Sequence, residues 1–244
     1  MEIYVDSLFL DNQVKKISRK YNLEIVNNPS TNKGNYFTYD SKGLSFVYDS
    51  NYPKESLNIN FLKGKTGWRI KRASHEGNLK KALGRSKDRM IIYDATAGLL
   101  TDTMIFLSLG HKVTAIEQSK IIYLLVKDAI YRAQYKIPFL NNLEFINANS
   151  IDYYKKIDTK FDAIYLDPMY PVVKKNIKKS GDLRSIGSIL EIESLVSDED
   201  YLINNFINSE YKKLILKRPL KSKKIYSTIN YQVKGKTTRF DVFI

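Results

Sequence analysis

The residues best suited to chemistry stand at positions 167–170, directly after the apolar run 161–166. An exocyclic amine on a nucleobase is a weak nucleophile because its lone pair is delocalised into the ring. The Asp167 carboxylate and the Pro168 carbonyl can accept hydrogen bonds from its N–H groups, and the Tyr170 ring offers a face for stacking. The string therefore predicts a pocket for a planar base with a reactive amine. The structural alternative is a strand that ends at a proline, followed by a core tyrosine.

A second candidate site lies at residues 94–102, where a strand pattern gives way to a helical one. Small residues around Gly98 let the backbone turn sharply and approach a ligand closely. The three glycines that cradle a pyrophosphate are absent, which favours a nucleoside ligand without phosphate, such as S-adenosylmethionine. Glu117 ends the next strand, where an acidic side chain accepts hydrogen bonds from ribose hydroxyls. Asn149 and Ser150 follow the third strand and could meet the adenine edge, although such residues are more often turn formers.

The charge balance favours a polyanionic partner. Forty Lys and Arg against 26 Asp and Glu give a net charge of +14, and an excess of this size is typical of proteins that bind nucleic acid. Three basic segments carry much of it, at 64–89, 172–184 and 212–224. The alternative is a solvated Lys-rich surface. The residues predicted to bind RNA are Arg69, Lys71, Arg72, Lys174, Lys175, Lys178, Lys179, Lys217 and Arg218.

From residue 90 onward, short apolar strands alternate with helical stretches, which predicts an α/β, Rossmann-like fold. Two strand patterns at 225–233 and 237–244 predict an antiparallel hairpin at one edge, so that the sheet is mixed. We expect a small α+β subdomain at residues 1–64, a basic linker at 65–89 and the main domain at 90–244. The predicted strands of the main domain are 90–95, 113–117, 143–147, 161–166 and 213–217, and its helices are 101–109 and 119–135.

Several classes of protein are disfavoured. The chain has no cysteine, which rules out disulfides and thiolate sites, and its two histidines lie far in sequence from both motifs. We therefore expect no metal. No apolar run approaches the roughly 18 residues of a membrane span, and the first residues lack a signal-peptide pattern. The sequence predicts a cytoplasmic protein that does not enter a membrane.

Several short runs together resemble one known family. The most specific is 165–171, where methionine follows the proline. The others are 94–99, 101–102, 107–110, 116–117, 217–219 and 239–241. They resemble ribosomal RNA small subunit methyltransferase J, whose members methylate the N2 amine of a guanosine in 16S ribosomal RNA. The resemblance covers most of 64–244 and is weak before it.

This resemblance implies a class I SAM-dependent methyltransferase with a mixed seven-stranded sheet, whose partner is ribosomal RNA or the small ribosomal subunit. The family usually has Gly-Arg where this chain has Leu100 and Thr101, and arginine in place of Gln118. Two alternatives remain open: a methyltransferase for another base amine in RNA or DNA, and a non-catalytic RNA-binding or ribosome-assembly module. The residues then expected to bind the cofactor are Asp94, Gly98, Thr101, Asp102, Glu117, Gln118, Asn149, Ser150 and Asp167.

Overall fold

The computed structural model describes residues 1–5, 7–27, 34–84, 88–168, 181–195, 198–222, 226 and 228–244. These residues form two β-sheets and the helices that cover them. Tyr170 and the four lysines predicted to bind RNA between 172 and 184 lie outside the described residues.

The N-terminal part contains a five-stranded sheet in the order β2-β1-β3-β4-β5, which pairs in both parallel and antiparallel fashion. Its helix begins after Asp11, whose side chain accepts a hydrogen bond of 2.9 Å from the Val14 backbone N–H, as an N-cap does. The elements are β1 (Glu2–Val5), α1 (Asn12–Tyr21), β2 (Glu24–Val26), β3 (Tyr36–Asp40), β4 (Gly43–Val47) and β5 (Ser56–Asn58).

The stretch predicted as a basic linker is helical over much of its described length. It forms α2 (Gly64–Lys71), a 3-10 turn (Ala73–His75) and α3 (Gly77–Leu83). Leu79 and Leu83 are buried in the same hydrophobic cluster as core residues on either side of them in sequence. The stretch therefore packs as part of the fold. The division of the chain into a subdomain, a linker and a main domain stays a prediction.

The C-terminal part confirms the predicted α/β fold with a mixed seven-stranded sheet, in the order β11-β12-β10-β9-β6-β7-β8. The five strands from β6 to β10 run parallel, and β11 and β12 form the antiparallel hairpin at one edge. The strands are β6 (Ile91–Asp94), β7 (Lys112–Glu117), β8 (Leu143–Asn147), β9 (Ala163–Leu166), β10 (Leu214–Pro219), β11 (Tyr231–Lys234) and β12 (Thr238–Phe243). The helices are α4 (Thr103–Ser108), α5 (Lys120–Ala133), α6 (Ser150–Tyr154), α7 (Gly181–Ile192) and α8 (Glu199–Ile207).

Strand order locates the crevice of this sheet. The chain leaves β6 toward β7 and β8 on one side and returns to β9 on the other, so the direction of winding reverses between β6 and β9. Open α/β sheets bind ligands at the carboxyl ends of the strands at such a point. Both sequence motifs lie there, since residues 94–102 begin at the end of β6 and Asp167 follows β9.

A buried carboxylate joins the two sheets. Asp128 of α5 is fully buried and accepts hydrogen bonds from the Leu44 backbone N–H at 2.9 Å and the Arg132 Nε at 2.7 Å. The same Arg132 donates to the backbone carbonyl of Ile59 at 2.6 Å. These contacts hold the N-terminal sheet against α5. Within the described residues, no helix combines the length and apolar character needed to cross a membrane.

Candidate active site

The turn after β6 is fastened to the ends of its two neighbouring strands. The Ala97 backbone N–H donates to the Ile116 carbonyl of β7 at 3.1 Å. On the other side, the Asp167 backbone N–H donates to the Thr96 hydroxyl at 2.6 Å. Three segments that are distant in sequence are thereby fixed relative to one another at the carboxyl edge of the sheet.

Glu117 faces this turn from the end of β7. One carboxylate oxygen accepts the Gly98 backbone N–H at 2.9 Å and the other accepts the Ser119 N–H at 2.7 Å. Each carboxylate oxygen can accept about two hydrogen bonds, so capacity remains for ligand hydroxyls. Burial raises the pKa of the carboxyl to about 7, although both backbone hydrogen bonds oppose the increase.

Asp94 ends β6 and is also buried. Its carboxylate accepts a hydrogen bond of 2.5 Å from the Thr103 hydroxyl and one of 3.2 Å from the Thr96 backbone N–H. Burial raises its pKa to about 7, and the hydrogen bonds from both threonines oppose the increase. Two carboxyls that change protonation near neutral pH therefore line the same edge of the sheet.

Leu100 occupies the position at which the family resemblance expects a glycine. Its φ is +58°, in the left-handed region that glycine adopts readily, and its side chain is fully buried. The left-handed conformation costs an L-residue about 1 to 2 kcal/mol, while burial of a leucine side chain contributes roughly 1.5 to 3 kcal/mol. The turn keeps the backbone form that glycine would give, and core packing compensates for the strain.

A network of charged and polar side chains connects the turn to Asp167, directly after β9. The Lys217 ammonium on β10 lies 2.7 Å from an oxygen of Asp102 and 2.8 Å from one of Asp167. The same Asp102 oxygen accepts a 2.5 Å hydrogen bond from the Tyr165 hydroxyl. The other oxygen of Asp102 lies 2.7 Å from a guanidinium nitrogen of Arg69 on α2. Lys217 thus bridges two carboxylates, one buried and one 35% exposed.

The network sets opposite protonation tendencies on its two carboxyls. Burial by itself would raise the pKa of Asp102, but Lys217 and Arg69 outweigh it and hold the pKa below the usual range. At Asp167, burial and repulsion by Asp102 raise the pKa, although Lys217 opposes them. Asp102 is therefore a fixed negative charge, whereas Asp167 is a stronger base than an ordinary aspartate.

The structure separates the predicted RNA-binding residues into two groups. Arg69 and Lys217 point into the network described above. Arg218 has 3% of its side chain exposed, donates to the Ser222 hydroxyl at 2.7 Å and lies over the Tyr226 ring. In these positions the three cations bind protein groups, and their contact with RNA stays a prediction. Lys71 and Arg72 are exposed on and just after α2.

The remaining predicted cofactor residues lie around the same edge. Gln118 and Asn149 are exposed, Thr101 is half-buried and Ser150 is buried. The Asn149 side chain accepts hydrogen bonds from the backbone N–H groups of Ile151 at 3.0 Å and Asp152 at 3.1 Å, so it is the N-cap of α6. The Asp102 carboxylate is bound by Arg69, Lys217 and Tyr165. Cofactor contacts by these residues stay predictions.

Sequence reasoning missed Thr96 and Thr103. It correctly placed Tyr165 in a strand but gave it no role in the site. The strand pattern does show that Tyr165 is buried, and a buried tyrosine normally finds a hydrogen-bond partner. The pattern does not show which partner. In the described part of the chain, no group of three or more His, Cys, Asp or Glu residues is arranged to hold a metal ion.

Comparison with known proteins identifies the family. The profile of a family described as putative SAM-dependent methyltransferase matches residues 16–244. Ribosomal RNA small subunit methyltransferase J of Francisella philomiragia subsp. philomiragia is 33% identical over 79% of this chain and 82% of its own length. The Francisella tularensis subsp. novicida protein of the same name is 33% identical over 79% and 81%. The chain belongs to the ribosomal RNA small subunit methyltransferase J family. It is therefore a SAM-dependent methyltransferase.

A solved structure supports the fold of this family member. A SAM-dependent methyltransferase from Neisseria gonorrhoeae superposes with a TM-score of 0.68 at 24% identity, covering 100% of this chain and 96% of that one. The family's cofactor, S-adenosylmethionine, also suits the residues present. Glu117 retains acceptor capacity for ribose hydroxyls, and the anionic edge formed with Asp94 and Asp167 complements a ligand with a sulfonium and an ammonium group.

Proposed function

We propose that this chain methylates the exocyclic N2 amine of a guanosine in small-subunit ribosomal RNA, at the edge where β6 and β9 diverge. The observation that carries the proposal is the Asp167 carboxylate, partly exposed and held by Lys217 beside the turn that contains Gly98. The names of the curated relatives support ribosomal RNA as the substrate. The resemblance at residues 165–171 supports the N2 amine.

Asp167 and Pro168 hold the amine. The carboxylate and the Pro168 carbonyl accept hydrogen bonds from the two N–H groups, which orients the nitrogen lone pair toward the methyl group. Much of the rate enhancement then comes from orientation, which can contribute roughly 7 to 11 kcal/mol when two reactants are held in line. The ring of Tyr170, beyond the described residues, is proposed to stack on the base.

The transfer requires one proton acceptor. S-adenosylmethionine supplies an electrophilic methyl group on a sulfonium, whose S–CH3 bond breaks with the electron pair kept by sulfur. The amine nitrogen forms the N–CH3 bond and carries one proton too many. Asp167 is proposed to accept that proton and pass it to solvent, and its raised pKa suits it to this step.

Glu117 is proposed to bind the ribose hydroxyls, and Asp94 is proposed to attract the ammonium group of the cofactor. Gly98 has a φ of +50°, which glycine adopts readily. Because glycine has no side chain, the backbone of this turn can also approach the ligand closely. Leu100 adopts the backbone conformation of the family's usual glycine, so this departure leaves the turn intact and favours an active enzyme over a non-catalytic module.

RNA binding is proposed to depend on surface cations. Lys71 and Arg72 are exposed at the end of α2 and just after it, and each phosphate they neutralise steepens the salt dependence of binding by about one unit. The proposal extends to Lys174, Lys175, Lys178 and Lys179. In the cell, an enzyme with this substrate works in the cytoplasm.

The decisive test uses purified protein, methyl-labelled S-adenosylmethionine and small ribosomal subunits from cells that lack the gene. We expect incorporation of label into the RNA and, after digestion to nucleosides, N2-methylguanosine identified by mass. Label on an adenine amine would replace the proposed acceptor with another. No incorporation, together with no thermal shift on adding S-adenosylmethionine, would refute the proposal as a whole.

A further inference from the structure

Helix α2 presents an aromatic ring to solvent, and a cation directly after the helix lies over that ring. Trp68 is 60% exposed, although tryptophan normally buries most of its large apolar surface. The Arg72 guanidinium lies 4.9 Å from the ring centroid and covers one face. Lys71 is exposed beside them. The chain has only one tryptophan, and it stands here.

The same helix reaches into the catalytic network. Arg69 follows Trp68 directly, and its guanidinium lies 2.7 Å from the buried Asp102 carboxylate. Successive helical residues point about 100° apart, and a helix with its side chains is roughly 10 to 12 Å wide. The Trp68 ring therefore stands on the helix whose next residue binds the Asp102 carboxylate of this network.

The start of α2 is fixed against the loop before it. A side-chain carbon added at Gly67 would lie 2.7 Å from the backbone carbonyl carbon of Leu62, so only glycine permits this contact. At the other side, Arg69 pairs with Glu76 as well as with Asp102. The Trp68 ring is thus carried on a helix that is anchored at both faces.

We infer that the open face of Trp68 stacks on a base of the RNA beside the target nucleotide, while Arg72 and Lys71 bind the neighbouring phosphates. This inference rests on the proposed function. Proteins hold single-stranded nucleic acid with aromatic rings and cations, because every base has a face for stacking and every nucleotide carries a negative charge. Trp68 combines the two, with a cation on one face of its ring and the other face open. The strongly basic chain fits the same partner.

The single tryptophan gives a direct optical test. The probe is the shortest RNA fragment that the wild-type protein methylates, added to wild type and to Trp68→Ala and Trp68→Phe. We expect the RNA to quench the fluorescence of the wild type. We expect Trp68→Ala to raise the Kd for RNA and the KM roughly 5- to 150-fold, the range for loss of one base–aromatic stack. Trp68→Phe keeps a ring and should retain most of the affinity.

Tyr135→Ala is the matched control. Tyr135 is 89% exposed and follows α5, which starts at the carboxyl edge of the sheet and runs about 20 Å to the opposite one. Its loss should change neither the RNA affinity nor the KM. In all variants the thermal shift with S-adenosylmethionine should equal that of the wild type, since Trp68 lies outside the proposed cofactor contacts.

Two results would overturn the inference while leaving the proposed function intact: no fluorescence change at saturating RNA, or normal RNA affinity in Trp68→Ala. Concentration-dependent dimerisation that Trp68→Ala abolishes, with RNA affinity unchanged, would assign the surface to a second copy of the chain and would equally overturn it. If the wild type methylated no RNA at all, the proposed function would fail and this inference with it.

Discussion

Replacing Lys217 with methionine removes the positive charge that joins Asp102 to Asp167, and keeps an unbranched side chain of similar length. Breaking a buried ion pair usually costs about 3 to 5 kcal/mol. Here Asp102 keeps Arg69 at 2.7 Å and the Tyr165 hydroxyl at 2.5 Å, and Asp167 is 35% exposed. We therefore expect a loss of only about 2 to 3 kcal/mol in the free energy of unfolding.

The effect on catalysis should be about as large as the effect on the fold, and it should depend on pH. Without Lys217, the repulsion by Asp102 remains and the attraction that opposes it is gone, so the pKa of Asp167 rises further. A larger fraction of the Asp167 carboxyl is then protonated, and Lys217 no longer fixes its orientation. For both reasons we expect kcat to fall about 100-fold. Because the missing species is the ionised carboxylate, kcat should recover in part as pH rises, and the acid limb of the pH–rate profile should move to higher pH.

The assay is methyl incorporation as a function of pH, with urea unfolding measured in parallel. Lys212→Met is the matched control, because Lys212 pairs with Asp162 at 2.9 Å but is 65% exposed, and a surface pair contributes at most about 1 kcal/mol. It should leave kcat unchanged. If Lys217→Met kept the wild-type pH profile, or if its kcat fell equally at every pH, Lys217 would not position Asp167 as the network indicates.

Three further predictions test other parts of the site. Since burial raises the pKa of both Asp94 and Glu117 to about 7, cofactor affinity by calorimetry should increase about tenfold per group from pH 6 to 8. A cofactor affinity that does not change with pH would argue against ligand contact with either carboxylate. For the protein without cofactor, the same raised pKa values contribute stability that is fully present below about pH 4 and is lost as pH rises through 7. Leu100→Gly relieves the positive φ but empties a buried site, so chemical denaturation should show a net loss of about 2 kcal/mol, and a stabilised variant would show that strain dominates. Asp128→Ala removes the carboxylate partner of Arg132 and leaves the Leu44 backbone N–H unpaired, and the unfolding free energy should drop by about 3 kcal/mol, whereas an unchanged midpoint would mean that the two sheets are held by apolar packing alone.

The strands of the C-terminal sheet could be predicted well, because each forms a short apolar run in the sequence. The strand at Leu143–Asn147 has the predicted bounds, and α5 lies within the predicted helix 119–135. Helices α2 and α3 were missed because many charges and glycines conceal the few buried positions, such as Leu79. The short strand β2 offered too few residues for a pattern.

The sequence predicted the site residues that lie at strand ends, but not the contacts between them and other segments. Asp94 and Glu117 end strands and Asp167 follows one. Since the carboxyl ends of parallel strands meet at one edge, their proximity follows from the pattern. The roles of Arg69 and Lys217 do not, because a basic residue that binds RNA and one that clamps a buried carboxylate look alike in sequence. Their partners depend on contacts between segments that are far apart along the chain.

The central claim is that the cofactor pocket and the amine pocket open side by side at the carboxyl edge of β6 and β9. The most direct measurement is a crystal structure of the protein with S-adenosylhomocysteine and a guanosine-containing oligonucleotide. We predict ribose hydroxyls hydrogen-bonded to Glu117, and the guanine amine bonded to Asp167 with its nitrogen facing the sulfur. A cofactor bound away from the Gly98 turn, or a guanine that does not contact Asp167, would contradict that claim.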